Sequence, residues 1–311
     1  MNENQEYNLA FSVCIPVYNT DVRKLVLELH RQASSMNCPF EILLIDDGST
    51  VFKEENRQLQ QLPNLSSIEL KENIGRAKIR NLLAKTAQYP YLIFMDCDAC
   101  VFNASYIRNY FKEIPADVVI GGCSYSPIPP VEKEFLLRWK YGVKREARPA
   151  EKRKNVPYRS FATFNFLIKK EIFNRIKFDE KISGYGHEDT LFGWTLKKQR
   201  ITINHIDNPL IHIVSDNTED FLKKTENSVK NLWHIYRNIP EKEEFMQDNS
   251  LLKQYVLIQK YGLSGLLSLF FNIFRSLIYK NLLSTYPQIR FLDLYKLGML
   301  NMIHLQKIPD Y

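Results

Sequence analysis

The chain has only five cysteines, Cys14, Cys38, Cys97, Cys100 and Cys123, an odd number set mostly in apolar, strand-like segments. That usage excludes a disulfide-stapled secreted scaffold and reads as reduced thiols. Cys97 and Cys100 stand in a C-x-x-C spacing. No second pair follows to complete a zinc site, and no helix start follows Cys97 as a redox motif would need. No glycine lies between Phe11 and Asn19, so the glycine-rich phosphate loop of a nucleotidyltransferase is missing from the place where it is usually found. No uncharged apolar run is long enough for a clear membrane span; the longest candidate, Gly262 to Leu283, is interrupted by Asn272 and Arg275. The opening residues, MNENQEYNLA, lack both a basic n-region and an apolar h-region, so no signal peptide and a cytoplasmic location are expected. Internal repeats, low-complexity tracts and recognisable nucleic-acid-binding modules are also absent, and nucleic acid is not an expected partner.

What is present is an ordinary globular composition. Hydrophobic residues make up 45% and charged residues 25% of the 311, enough apolar material to exclude wholesale disorder. A net charge of +7 favours anionic partners, and a phosphorylated small molecule accounts for it as well as a polyanion does. The first half alternates short apolar runs with helical patterns, which predicts an α/β sheet. Strands are expected at Phe11–Val17, Glu41–Ile45, Ser67–Leu70, Tyr91–Met95, Val118–Ile120 and Phe161–Ile168. Ile201 to Val214 reads as one or two more strands, broken by Asn208-Pro209. Helices are expected at Asp21–Ser34, Lys53–Gln61, Arg76–Thr86 and Lys170–Arg175. From Thr218 the composition shifts to helix formers, predicting a catalytic domain over 1–217 and a helical region over 218–311. Within that region, Gly262–Leu283 reads either as a buried core helix or as a helix lying in a membrane interface.

Three predicted strands end in polar loops, at Tyr18-Asn19, at Asp46-Asp47 and at Asp96-Cys97-Asp98. In open α/β sheets ligands bind beyond the carboxyl ends of the strands. Asp96 and Asp98 offer hard oxygens suited to Mn²⁺ or Mg²⁺. Asp46 and Asp47 are able to accept hydrogen bonds from a base or a ribose, or to cap the helix that follows. Gly75 opens a helix bearing Arg76, Lys78 and Arg80, which is either a phosphate-facing terminus or a solvated basic helix. Downstream, Gly184-Tyr185-Gly186-His187-Glu188-Asp189 places two carboxylates at the start of an amphipathic helix, where they serve either as a general base or as helix-terminus charges.

The order strand-P-x-Y-N, D-D-G-S, N-x-G-x-x-x-x-R-N, D-x-D resembles the inverting glycosyltransferases of family 2, over roughly Phe11 to Asp216. The resemblance implies a GT-A fold, a Rossmann-like mixed sheet flanked by helices, here with a C-terminal helical extension. It implies a nucleotide-sugar donor, most often a UDP-sugar, and a hexosyl or N-acetylhexosaminyl transfer to a glycan or lipid-linked acceptor, as in polysaccharide biosynthesis. It places Pro16, Tyr18, Asp46, Asp47, Asn73, Gly75, Arg80 and Asp96 around the nucleotide and Asp98 on the metal. Asp189 takes the role of catalytic base, with Glu188 orienting the acceptor or sharing the role. In several relatives a histidine after the E-D helix is a further metal ligand. His212 is the candidate here, with His205 as competitor and a satisfied core histidine as the plain alternative.

Trp139 and Tyr141, inside the basic stretch Arg138–Arg159, and His187 are candidates for acceptor contact; Trp194 reads chiefly as core. Peripheral membrane contact through the C-terminal region would suit assembly of a polysaccharide at the inner face of the membrane. The competing class is a catalytically silent, glycan-binding scaffold. That class predicts loss of Asp98 or Asp189, and both are present.

Overall fold

A computed structural model describes residues 9–182 and 184–306; the N-terminal stretch read above for a leader lies, for residues 1–8, outside them. The chain divides into two compact units. One comprises Met1–Tyr125, Ala147–Lys181 and Phe192–Ile213; the other comprises Ser126–Glu146, Ile182–Leu191 and Val214–Tyr311. Where the sequence suggests a single boundary at 217/218, two earlier stretches group with the C-terminal helices.

All the strands among the described residues belong to the first unit. They are β1 (Phe11–Val17), β2 (Phe40–Asp46), β3 (Leu65–Glu69), β4 (Tyr91–Met95), β5 (Ala99–Cys100), β6 (Val118–Ile120), β7 (Cys123–Ser124), β8 (Asn165–Lys169), β9 (Ile203–His205) and β10 (Leu210–His212). Seven of them form one sheet in the order β3-β2-β1-β4-β8-β6-β9, and the other three a small sheet in the order β5-β10-β7. In the seven-stranded sheet β1 pairs parallel with β2 and β4, β2 with β3 and β6 with β9; there only β8 runs antiparallel to its neighbours, β4 and β6. This is the mixed α/β sheet expected from the sequence.

β1, β2 and β4 are near-continuous apolar runs because both faces of the sheet are covered. Their side chains alternate between two cores. Val13, Ile15, Leu44 and Ile93 pack with Val26 and Leu29 of the helix Arg23–Ser34, while Cys14, Leu43, Leu92 and Phe94 pack with Ile79 and Leu83 of the helix Arg76–Thr86. β3 alternates half-buried with exposed residues, as befits an edge.

Several boundaries differ from the sequence reading. The Phe161–Ile168 strand shortens to β8, because Phe161 to Phe164 lead into it as coil and turn. The Lys53–Gln61 helix passes at Gln58 into a 3-10 turn. Ile201 to Val214 resolves into β9 and β10, which belong to different sheets. The helices Tyr106–Phe111, Lys242–Asp248 and Ile289–His304 were not marked by the periodicity.

The second unit is helical. Its longest helix, Thr218–Asn238, starts at Asn217, whose side chain accepts from the Asp220 amide. The helices Ser264–Leu282 and Ile289–His304 approach closely at Gly298, where any Cβ would collide with the Phe271 ring.

Candidate active site

Parallel pairing puts the carboxyl ends of β1, β2 and β4 on one edge of the sheet, and with them the three polar loops. Asn19, at φ 49°, links the first two. Its side-chain oxygen accepts from the Thr50 amide at 2.7 Å, and its own amide donates to Ser49 Oγ at 2.8 Å. Asp46 Oδ1 accepts from the Ser49 amide at 2.7 Å, closing the Asp46–Ser49 turn. Asp47 accepts from the amides of Ile74 and Gly75 at 2.7 and 3.2 Å. Burial nevertheless raises its carboxyl above the usual range, against the pull of those two amides. Directly after the two acids, Gly48 sits at φ 74°, and a Cβ there would lie 2.6 Å from the Glu72 carbonyl carbon. Only glycine lets the second loop and the 72–75 turn meet.

At the end of β4, Asp96 is clamped by two arginines from one helix. Arg80 Nη2 reaches Oδ1 at 2.5 Å, and Arg76 Nη2 reaches Oδ2 at 3.2 Å. Arg76 and Arg80 are one turn apart and so share a face. Burial alone would lift the Asp96 carboxyl, but the two guanidiniums outweigh it and hold it below the usual carboxylate range. Arg80 is 2% exposed, far from the solvated helix that a run of basic residues also permits. Lys78 is the exposed member of that run.

Two residues on, Asp98 meets His212. Their closest atoms, Oδ2 and Nε2, are 3.3 Å apart. The small sheet makes this approach: β10 lies antiparallel to β5, with His212 opposite Ala99, and the Ile213 amide donates to the Asp98 carbonyl. Tyr125 and Phe164 flank the imidazole at ring distances of 5.3 and 5.2 Å. Asp98 Oδ1 is buried without a hydrogen-bond partner among the described residues, a costly state for a carboxylate oxygen and one that a cation relieves. Among the described residues no group of three or more His, Cys, Asp or Glu side chains converges to hold a metal alone. One carboxylate and one imidazole suit a Mn²⁺ or Mg²⁺ that completes its shell with ligand oxygens and water.

His205, the competing histidine, is engaged elsewhere. Its Nδ1 faces Arg153 Nη1 at 2.9 Å and its Nε2 faces the Pro157 carbonyl at 3.0 Å, so both ring nitrogens are engaged. Burial pushes its pKa down to about 4. Arg153 also donates to the carbonyls of Ile120, Gly121, Ile206 and Arg148, which turns one arginine of the basic stretch inward. A polar knot missed by the sequence reading lies nearby. Buried Asn165 accepts from the hydroxyls of Tyr106 and Tyr110 and donates to the carbonyls of Gly122 and Asn208, fixing the loop that leads into β10. A buried asparagine in a strand was the available signal. Cys97 also packs inward, and burial, with Asp98 beside it, pushes its thiol up to about 11.

In the helical unit, the loop Gly184–His187 precedes the helix Glu188–Lys198. Gly184, Gly186 and His187 all have positive φ. Gly186 lies so close to Ser228 that a Cβ would sit 2.7 Å from the Ser228 Cβ. Asn231 donates to the carbonyls of Tyr185 and Gly186 at 3.2 and 3.1 Å. The helix Thr218–Asn238 therefore holds the loop, a support with no mark in the sequence. Glu188 is buried; Asp189 is half-buried, and its Oδ1 accepts from the Thr190 amide at 2.7 Å. His187 Nδ1 faces Thr190 Oγ1 at 2.9 Å, and burial, with Lys296 near by, drives its pKa down to about 4.

Trp139 donates its indole N–H to the Ser126 carbonyl at 2.9 Å. Tyr141 packs 5.4 Å from the Phe221 ring, with the Lys296 ammonium 4.5 Å from its own ring centre. Of the remaining candidates, Pro16 is half-buried in β1, while Tyr18 and Asn73 are exposed. Trp194 is buried, in keeping with a core role.

The profile of a known family, described as Glycosyl transferase family 2, matches residues 12–177. Chondroitin synthase of Pasteurella multocida (strain Pm70) is 25% identical over 229 residues, 61% of this chain and 23% of that protein. Chondroitin synthase of Escherichia coli is 25% identical over 226 residues, 61% of this chain and 32% of that one. The match thus takes in a third or less of the length of these curated relatives. Among solved structures, the mannosyltransferase PcManGT from Pyrobaculum calidifontis, in complex with GDP-Man and Mn²⁺, superposes with a TM-score of 0.57 at 14% identity, covering 96% of this chain and 87% of that one. S. aureus TarS 1–349 superposes with a TM-score of 0.51 at 18% identity, covering 96% and 92%. At such identities the likeness is one of fold.

Proposed function

This chain belongs to glycosyltransferase family 2, and we propose that it moves a sugar from a nucleoside-diphosphate donor, a UDP-sugar first, to a hydroxyl of a glycan or lipid-linked saccharide with inversion. The observation that carries this reading is the pairing of Asp98 with His212 on the ligand-binding edge of the sheet, next to the Arg76–Arg80–Asp96 clamp. Asp46 and Asp47 offer carboxylate oxygens to the base and ribose, and the 73–75 turn lies beside them. Pro16 and Tyr18 close the same pocket from β1. Asp98 and His212 would hold Mn²⁺ or Mg²⁺, which supplies positive charge to the departing diphosphate. Asp189 takes the proton of the acceptor hydroxyl. The hydroxyl oxygen forms its bond to the anomeric carbon as the carbon–oxygen bond to the diphosphate breaks, and the electron pair leaves with the diphosphate. Glu188 and His187 orient the acceptor, with Trp139 and Tyr141 as further contacts.

The GDP-Man and Mn²⁺ bound by one structural neighbour support a nucleotide sugar and a metal; the chondroitin synthase relatives support a growing polysaccharide as acceptor. Five free thiols fit a reducing compartment, so we place the reaction on the cytoplasmic side.

Calorimetric titration with UDP, GDP and dTDP, each with and without Mn²⁺, tests the donor site. Metal-dependent binding of one nucleotide, lost in Asp98→Ala, is expected. Binding that survives both Asp98→Ala and chelation would overturn the metal assignment, and no binding of any of the three would overturn the donor reading.

A further inference from the structure

One face of the helix Ser264–Leu282 is apolar and bare. Leu266, Leu269, Ile273 and Leu277 are 58 to 64% exposed and follow one another at helical spacing, with Phe270 and Phe274 along one flank. The opposite face is already used. Ser268, Phe271, Ile278 and Leu282 are buried, Phe271 rests on Gly298, and Asn301 donates to the Ser264 carbonyl at 3.0 Å. The helix is thus fixed along one side and unpartnered along the other, and a stable monomer seldom leaves such a patch in water.

The charges around the face say what covers it. From Asn249 to Leu292 there is no Asp or Glu, while Lys253, Lys260, Arg275, Lys280 and Arg290 give five cations. Exposed Tyr261 precedes the helix and exposed Tyr286 follows it, amphipathic rings of the kind that settle at headgroup depth. Among the described residues no single helix is long and apolar enough to cross a membrane. With its inner face packed on protein, this helix has an apolar stripe to lay on a bilayer rather than a surface that is apolar all round. A second copy of the chain would set five cations against five with no acid from the same stretch to balance them.

We propose that this face lies in the interfacial layer of an anionic bilayer, with Leu266, Leu269, Ile273 and Leu277 among the acyl chains and Lys253, Lys260 and Lys280 at the phosphates. The inference is independent of the transfer chemistry; it concerns where the acceptor is met.

Flotation of the full chain with phosphatidylcholine vesicles, and with vesicles containing phosphatidylglycerol, tests it. Binding to the anionic vesicles is expected, with far less to the neutral ones and a fall at high salt. Neutralising Lys253, Lys260 and Lys280 together to Gln should lower the partition roughly 100-fold, at about fivefold for each. The triple change Leu266→Asn, Ile273→Asn, Leu277→Asn should lower it on the order of 100-fold. Circular dichroism and nucleotide titration on each variant show that the fold and donor site persist, which separates failure here from failure of the donor reading. Equal binding to both kinds of vesicle, no binding to either, or no response to the two triple changes would overturn the proposal. So would a wild-type oligomer that the apolar triple change turns into a monomer, since the face would then belong to a second copy.

Discussion

Replacing Gly48 by alanine isolates the contact that joins two loops of the proposed donor pocket. Gly48 has φ 74° and Gly262 has φ 68°, so Ala at either position meets the same left-handed strain of about 1–2 kcal/mol. The surroundings differ. A Cβ on Gly262 meets nothing within 4 Å, whereas one on Gly48 would lie 2.6 Å from the carbonyl carbon of Glu72 and 2.8 Å from the amide nitrogen of Asn73. These are backbone atoms, and no rotamer change removes them. Forcing them apart adds about 1–3 kcal/mol of overpacking. It also pulls the 72–75 turn from Asp47, whose two amide hydrogen bonds come from Ile74 and Gly75. Gly262→Ala should therefore cost about 1–2 kcal/mol in urea unfolding and leave nucleotide affinity alone. Gly48→Ala should cost about 2–5 kcal/mol and weaken the nucleotide at least about tenfold. Equal stability losses for the two variants, with affinity intact in both, would show that the approach of the two loops does not constrain the site.

Arg80→Met removes the buried partner of Asp96 and should destabilise by about 3 kcal/mol at neutral pH. The Asp96 carboxyl is held below its unfolded value, so its stabilisation is present above that value and fades as pH falls through the folded one. The variant should lose correspondingly less below about pH 4, read from unfolding curves across the acid limb. His205→Phe takes from Arg153 Nη1 one of its two acceptors and from the Pro157 carbonyl its imidazole partner, and should cost about 1–3 kcal/mol while sparing metal-dependent nucleotide binding. His212→Phe should do the reverse, abolishing the metal dependence in the same titration. His205 and His187 are both neutral when folded, with pKa values pushed down to about 4, so wild-type stability should fall as pH drops from the ordinary histidine range toward 4 and level off below; His205→Phe should make that segment shallower and leave the share owed to His187. Asp189→Asn should retain nucleotide binding but lose about 10²–10⁴-fold in transfer rate, measured as release of the nucleoside diphosphate.

The central strands were legible because burial on both faces leaves an apolar signature, and the loops after β1, β2 and β4 because acids directly after such runs are conspicuous. The arginine pair was legible as cations but not as an Asp96 clamp, since spacing says which residues share a helix face and nothing about what that face meets. His212 could be told from His205 only through pairing. Both sit in short strand-like segments, and only β10, set between β5 and β7, delivers its histidine to Asp98. Asn165 was visible only as one polar residue in an apolar strand, and Ser228 and Asn231 not at all, since in the mixed polar stretch Thr225–Asn231 nothing tells a residue that supports a loop from one that faces water. Helix Ile289–His304 escaped because it is apolar on most of its surface, which erases the periodic contrast.

The grip of Asn231 and Ser228 on the Tyr185–Gly186 segment bears on how this protein can be cut. A minimal fragment ending near residue 217 keeps every strand among the described residues and every group proposed for the donor, yet discards the scaffold of the segment that carries Asp189. Such a fragment should still capture nucleotide and turn over nothing. On the proposed function, an excised half of this kind would pass for a dead enzyme in an activity screen, though nothing in its own chemistry had been altered.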